Sequence, residues 1–207
     1  MGVVKVSDIS VSQDACDWAS MATAATRQWL ERAVIGLNLC PFAKAVHVKG
    51  QIHYVVSMSQ CRSEWLAIVA KELQALQQMD PAVRDTTLLI FPTAMPNFLE
   101  FSHFLPDADR VLRKLGLEGE LQIASFHPCF QFAGTDPDDI TNCTNRAPYP
   151  TLHLLREASI AKAVAAFPDA ESIFEKNMQT LEQLGHAGWR DLGLSDAATV
   201  HCTKSSP

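Results

Sequence analysis

Over residues 17–38, Trp18, Ala22, Ala25, Trp29, Ala33 and Leu37 recur at the spacing of one helical stripe, widened by Leu30 and Val34. Residues 51–58 change period: Ile52, Tyr54, Val56 and Met58 alternate with their neighbours, as in a half-buried strand. A second helix is predicted near 62–78, with Trp65, Val69, Leu73 and Leu76 inward and the turn Asp80-Pro81 closing it. The run TTLLIF (86–91) is apolar throughout its second half and β-branched at its start, like a central strand covered on both faces.

After the proline-bounded loop PTAMPN, Asn97 and Glu100 have the spacing of a capping box. The helix that follows carries Phe98, Phe101, Leu105, Ala108, Leu112 and Leu115, with a kink expected at Pro106 and a stop at Gly116. ELQIASF (120–126) predicts a third strand. Helical sequence returns from about 152 to 166 and from about 170 to 187. TLHLL (151–155) also reads as a fourth strand, because Leu152 and Leu154 alternate with Thr151 and His153.

The order αβαβαβ, then helices, predicts an α/β or α+β fold: a single-domain sandwich with a small, partly parallel sheet of three or four strands flanked by helices. The globular domain is expected over 16–192. Residues 1–15 and 193–207 are polar and aperiodic, and read as a disordered N-terminus and a flexible tail.

Composition narrows the function classes. The chain has 207 residues, 47% hydrophobic and 19% charged, which suits one core. A net charge of −6 repels a phosphate backbone on average, so no nucleic-acid partner is expected. No apolar run is long enough for a bilayer and no signal peptide is recognisable, so the expected location is the cytoplasm, with no membrane partner. The six cysteines form no C-x-x-C pair and are expected to be free thiols. Oligomeric state is left open.

Candidate chemistry gathers in two places. The first is GLNLCPFAKAV (36–46). A residue before proline avoids the helical region, so the first helix should end by Leu39, and Pro41 can open a short second helix with Cys40 as its N-cap. A thiol there would feel the positive helix end and become reactive; the alternative is a small buried hydrophobe. The second is the long connection 126–157. It mixes Phe126, Phe130, Phe132 and Tyr149 with His127, three aspartates, Asn145, Arg146 and His153. Connections of this length are uncommon without a functional reason, and this one starts where a strand ends.

There, His127 suits a general base held by Pro128, or a core histidine donating to a carbonyl. Asp138 and Asp139 look like helix caps. Arg146 is a clamp for an anionic group, or an ion-pair partner for a nearby aspartate. If TLHLLRE is helical, His153, Arg156 and Glu157 share one face; if it is a strand, that grouping dissolves. His127, Cys129, Asp136 and His153 match no metal-site spacing, so no metal and no cofactor are predicted.

Three segments, WLERAVIGLNLCPFAKAV (29–46), SFHPCFQFAGTDPDDITNCTNRAPYPTLHLLREASI (125–160) and FPT (91–93), resemble an uncharacterised, mainly bacterial family known as a domain of unknown function. Its signatures are GLNLCPFA and NRxPYPTLHLLRE. The resemblance implies membership and no activity. Cys40, His127, Arg146, His153 and Glu157 fit that pattern, whereas Cys129 and Phe130 stand where the family usually has Asp and Tyr.

The expectation is therefore a small-molecule enzyme acting on an anionic metabolite, with Cys40 and His127 catalytic. Asn145, Arg146, Tyr149, His153, Arg156 and Glu157 would bind the substrate. The alternative is a non-catalytic metabolite-binding or assembly protein using the same 127–157 loop.

Overall fold

The computed structural model describes residues 6–166 and 172–194, with side chains from Asp17 onward. Residues 1–5 and 195–207 of the two ends read as frayed lie outside the described residues. Within the N-terminal stretch, helix α1 (Val6–Trp29) already begins well before Asp17 and continues as a π-helical turn, Leu30–Ile35.

The helix ends before Pro41 can act. Asn38 takes a left-handed conformation (φ 55°), with its N–H on the Ile35 carbonyl at 3.1 Å and the Leu39 N–H on the Val34 carbonyl at 2.9 Å. That pair of bonds is a Schellman stop, which satisfies the terminal carbonyls. The chain then turns through Pro41 and Phe42 into α2 (Ala43–Val48).

Four strands form one sheet in the order β1-β2-β4-β3: β1 (Ile52–Val56), β2 (Thr86–Ile90), β3 (Leu121–Phe126) and β4 (Thr151–Arg156). β1 and β2 are parallel, and β4 runs antiparallel to both of its neighbours. The strand reading of 151–155 is therefore the correct one, and helical sequence begins only at Glu157. β2 is buried at every position, as its apolar run requires.

Helices α3 (Arg62–Gln78) and α4 (Phe98–Lys114) cover one face. They pack with Val55, Leu89, Leu152, Leu154 and Leu121 into the main core. There Trp65, Phe91 and Phe104 meet edge to face at 5.7–6.4 Å between ring centres. The Asn97 side chain caps α4 by accepting from the Leu99 N–H at 2.8 Å. The helix runs through Pro106 and stops at Gly116, whose φ of 70° suits glycine. On the opposite face, α1 and the π-turn lie over Ile52, Tyr54, Val56, Ile90 and Phe126. Short α5 (Glu157–Ala165) follows β4, and α6 (Ile173–Asp191) packs on the 3₁₀ turn Ile140–Asn145. No helix among the described residues is long and apolar enough to cross a membrane.

One buried ion pair locks α3 to the start of β2. Arg84 Nη2 lies 2.6 Å from Glu72 Oε2, and the same guanidinium donates twice to Thr87 Oγ1. Breaking one side strands a buried charge, so Arg84→Met should lower unfolding free energy by about 3–5 kcal/mol. Adding Glu72→Leu should recover most of that loss, as read by urea denaturation with circular dichroism.

Candidate functional site

Strand alternation decides which side chains can meet. Phe126 ends β3 on the face covered by α1, and its ring lies 5.1 Å from Trp29. His127, one residue on, falls on the other face, between Phe98 at 5.4 Å and Phe101 at 5.2 Å. It is fully buried, with Nε2 3.0 Å from the Met95 carbonyl and Nδ1 accepting the Cys129 N–H at 3.0 Å. Burial pushes its pKa down to about 4, so both nitrogens are engaged on a neutral ring. The core-histidine reading describes this residue.

Cys40 lies on the α1 side, packed against the Trp29–Ala147 cluster with Phe126, Ile52 and Tyr54. The sheet stands between it and the His127 ring, so the two expected catalytic residues do not form a pair. Nor is Cys40 a helix N-cap: α2 starts after Phe42. The N–H groups of Phe42 and Ala43 favour the thiolate, but burial outweighs them and raises the thiol pKa. The more reactive thiol is one the sequence reading passed over. Cys61 precedes α3, exposed, with Sγ 3.0 Å from Ser63 Oγ; that bond and nearby backbone N–H groups lower its pKa. Cys143 is buried, its pKa pushed up to about 11. Cys129 is disulfide-bonded, which corrects the expectation of free thiols throughout.

The 127–157 connection uses its polar groups on itself. Arg146 donates from Nε to the Phe130 carbonyl at 3.2 Å and from Nη2 to the Pro137 carbonyl at 2.6 Å. Asn145 donates to the Ser125 carbonyl, and its own carbonyl accepts the His127 N–H. The hub is Asn142, missed in the sequence. Fully buried, it accepts from the Phe132 N–H and Thr135 Oγ1 and donates to the Asp136 carbonyl, all at 2.9 Å. Asp139 caps the 3₁₀ turn through the Thr141 N–H, as expected of that pair. Tyr149 is buried against Ala22, Ala25 and Ile90.

Because β4 is a strand, the His153–Arg156–Glu157 grouping comes apart. His153 faces α1, half-buried, 6.2 Å from the Phe126 ring, its pKa pushed down to about 4 by burial. Arg156 faces the other way and donates to the carbonyls of Leu76, Met79 and Arg84, tying down the end of α3. Glu157 opens α5, its N–H on the Glu120 carbonyl.

What remains uncommitted lies beside α1. A groove of about 860 Å³ runs between α1 and edge strand β1, lined among others by Thr23, Arg27, Gln28, Glu31, Arg32 and Tyr54. The Arg27 guanidinium lies over the Tyr54 ring, 5.0 Å from its centre, and makes no ion pair or hydrogen bond among the described residues. The Tyr54 hydroxyl is shut off from solvent and has no hydrogen-bond partner among the described residues. Burial, opposed by Arg27 and assisted by Glu31, raises its pKa, so it is a protonated donor at neutral pH. Trp29 Nε1, on the buried side of the same helix, is likewise unpartnered. The sequence held one sign of this, a tyrosine in an alternating strand; the helical residue above it could not be paired with it from spacing.

Two outcomes follow from this placement. A thiol reagent at neutral pH should label Cys61 first, Cys40 slowly and Cys143 only on unfolding, as mapped by peptide mass spectrometry. Equal labelling of Cys40 and Cys61 would refute the difference in environment. Arg146→Ala should destabilise the fold by about 1.5–3 kcal/mol through lost charged hydrogen bonds, as read by urea denaturation.

No curated protein and no solved structure matches the chain. A family model does match, over residues 21–191, and its description is a protein of unknown function (DUF1415). The match covers α1 from Met21 through the end of α6 and so includes the sheet, the 127–157 connection and most of the groove; the chain belongs to this family.

Proposed function

We propose that the protein binds a small anionic metabolite in the groove between α1 and β1. The observation that carries this is the Arg27 guanidinium, which lines the groove over the Tyr54 ring with no ion pair or hydrogen bond among the described residues, on a tyrosine whose hydroxyl also has no partner among them. The large majority of buried side-chain polar atoms in folded proteins have a partner, so an orphan on a groove-lining residue asks what completes it. An anion answers both needs: it accepts from the hydroxyl and draws Arg27 off the ring. The exchange is inexpensive, because an exposed cation–π contact contributes only about 0.5–1 kcal/mol. The groove is also within the size range of small-molecule sites, roughly 300–1,000 Å³.

Binding is better supported than cysteine–histidine catalysis. That mechanism needs a thiolate within reach of an unengaged imidazole. Here the sheet separates the two groups, Cys40 is held protonated, and His127 has both nitrogens occupied. The Arg146 clamp expected from the sequence is replaced in this reading by Arg27.

The test is a thermal-stabilisation screen against anionic metabolites, run in parallel on Tyr54→Phe and Arg27→Gln. Removing an unsatisfied hydroxyl should leave the unliganded Tyr54→Phe protein as stable as the parent or slightly more so. Stabilisation by the ligand should fall in both variants. A ligand that stabilises both variants as well as the parent would place its site elsewhere.

A further inference from the structure

The phenylalanines of the 126–157 connection do not all turn inward. Phe126 packs on Trp29, whereas Phe130 and Phe132 continue a line of rings that begins on α4 and ends on α6. Phe98 lies 5.1 Å from Phe130, Phe130 lies 5.0 Å from Phe132, and Phe132 lies 6.2 Å from Phe174. The first three residues are half-buried and Phe174 is 54% exposed. Leu99, beside the first ring in sequence, is 63% exposed. Three separate segments thus bring apolar side chains into one continuous strip that the folded chain leaves partly in water. Exposed apolar residues scattered singly need no explanation, but a contiguous strip marks an interaction surface.

The charge beside the strip selects the kind of partner. Glu100 follows the first ring on α4, Asp136 and Asp138 follow Phe132 in the connection, and Glu175 follows Phe174 on α6. All four are exposed, and none makes an ion pair among the described residues. Against them stand Lys176 and Arg146, whose guanidinium is bonded to the Phe130 and Pro137 carbonyls. The balance is acidic. We infer that this strip docks an apolar segment of another polypeptide, flanked by lysine or arginine. Its rings supply the apolar centre of an interface and its carboxylates the polar rim. The same carboxylates repel nucleic acid and anionic lipid, and an acidic segment would meet like charge. The strip shares no residue with the groove beside α1, so docking here does not depend on a ligand there.

The probe is a short amphipathic helix of leucine and lysine, with a leucine–glutamate counterpart as control, each titrated into the full chain by calorimetry. The leucine–lysine peptide should bind, more weakly as salt rises, and the leucine–glutamate peptide should not. Phe132→Ser combined with Phe174→Ser should weaken binding by about ten-fold or more, the scale of losing central aromatic contacts. Leu99→Ser, at a side chain already in water, should act in the same direction with the circular dichroism spectrum unchanged. Asp136→Asn with Asp138→Asn should weaken binding and flatten its salt dependence. Binding indifferent to the Phe and Leu99 variants would reduce to attraction by an acidic chain and overturn the strip as the site. Equal binding of both peptides, or binding of neither, would overturn the basic partner. Self-association of the parent chain that is lost in Phe174→Ser would place a second copy on the strip and overturn it as well.

Discussion

Everything in this molecule hangs on β4 entering the sheet antiparallel between β2 and β3. That one strand supplies Leu152 and Leu154 to the α3–α4 core and His153 to the α1 side. It also carries Arg156 to the carbonyls that end α3. Because successive side chains in a strand point to opposite faces, neighbours in sequence become residents of different layers. The same rule separates Phe126 from His127, and with it the Cys40 side of the protein from the histidine that sequence proximity to a strand end made attractive.

The elements were legible where the pattern was long and single-minded. Residues 62–78 have one stripe and one period, and the helix observed has those bounds. The β2 run is too apolar to be anything but covered. Ambiguity at 151–157 had a physical source: Leu152, Leu154 and Leu155 satisfy either period, and only pairing with β2 and β3 selects the strand. The stop of the first helix was placed correctly for an incomplete reason. Pro41 forbids continuation, but Asn38 in the left-handed region ends the helix first, a conformation asparagine tolerates better than most residues.

The candidate site was the less legible part. Chemistry-bearing residues drew the eye to 127–157, yet a long connection must satisfy its own backbone, and here Asn142, Asn145 and Arg146 do that work. Polar side chains in such a loop are more easily explained by carbonyls nearby than by a ligand beyond. Arg27 and Tyr54 carried no motif. One sits on the polar side of a helix and the other in an alternating strand. Only the lay of α1 across the sheet edge brings them to 5.0 Å. Such a site can be found from tertiary structure and not from spacing.

The position of β4 also governs how this chain must come together during synthesis. Among the described residues β3 pairs only with β4, and β2 has an open side until β4 arrives. The ribosome delivers Thr86–Ile90 and Leu121–Phe126 well before Thr151–Arg156, so two strands wait with unsatisfied edges while the closing piece is made. Contacts so distant along the chain slow folding, and waiting edges invite pairing with other chains. Only β1 and β2, joined through α3, can pair early. The self-bonded loop before β4 has a part in this: by condensing around Asn142 it shortens the tether across which the last strand must find its slot.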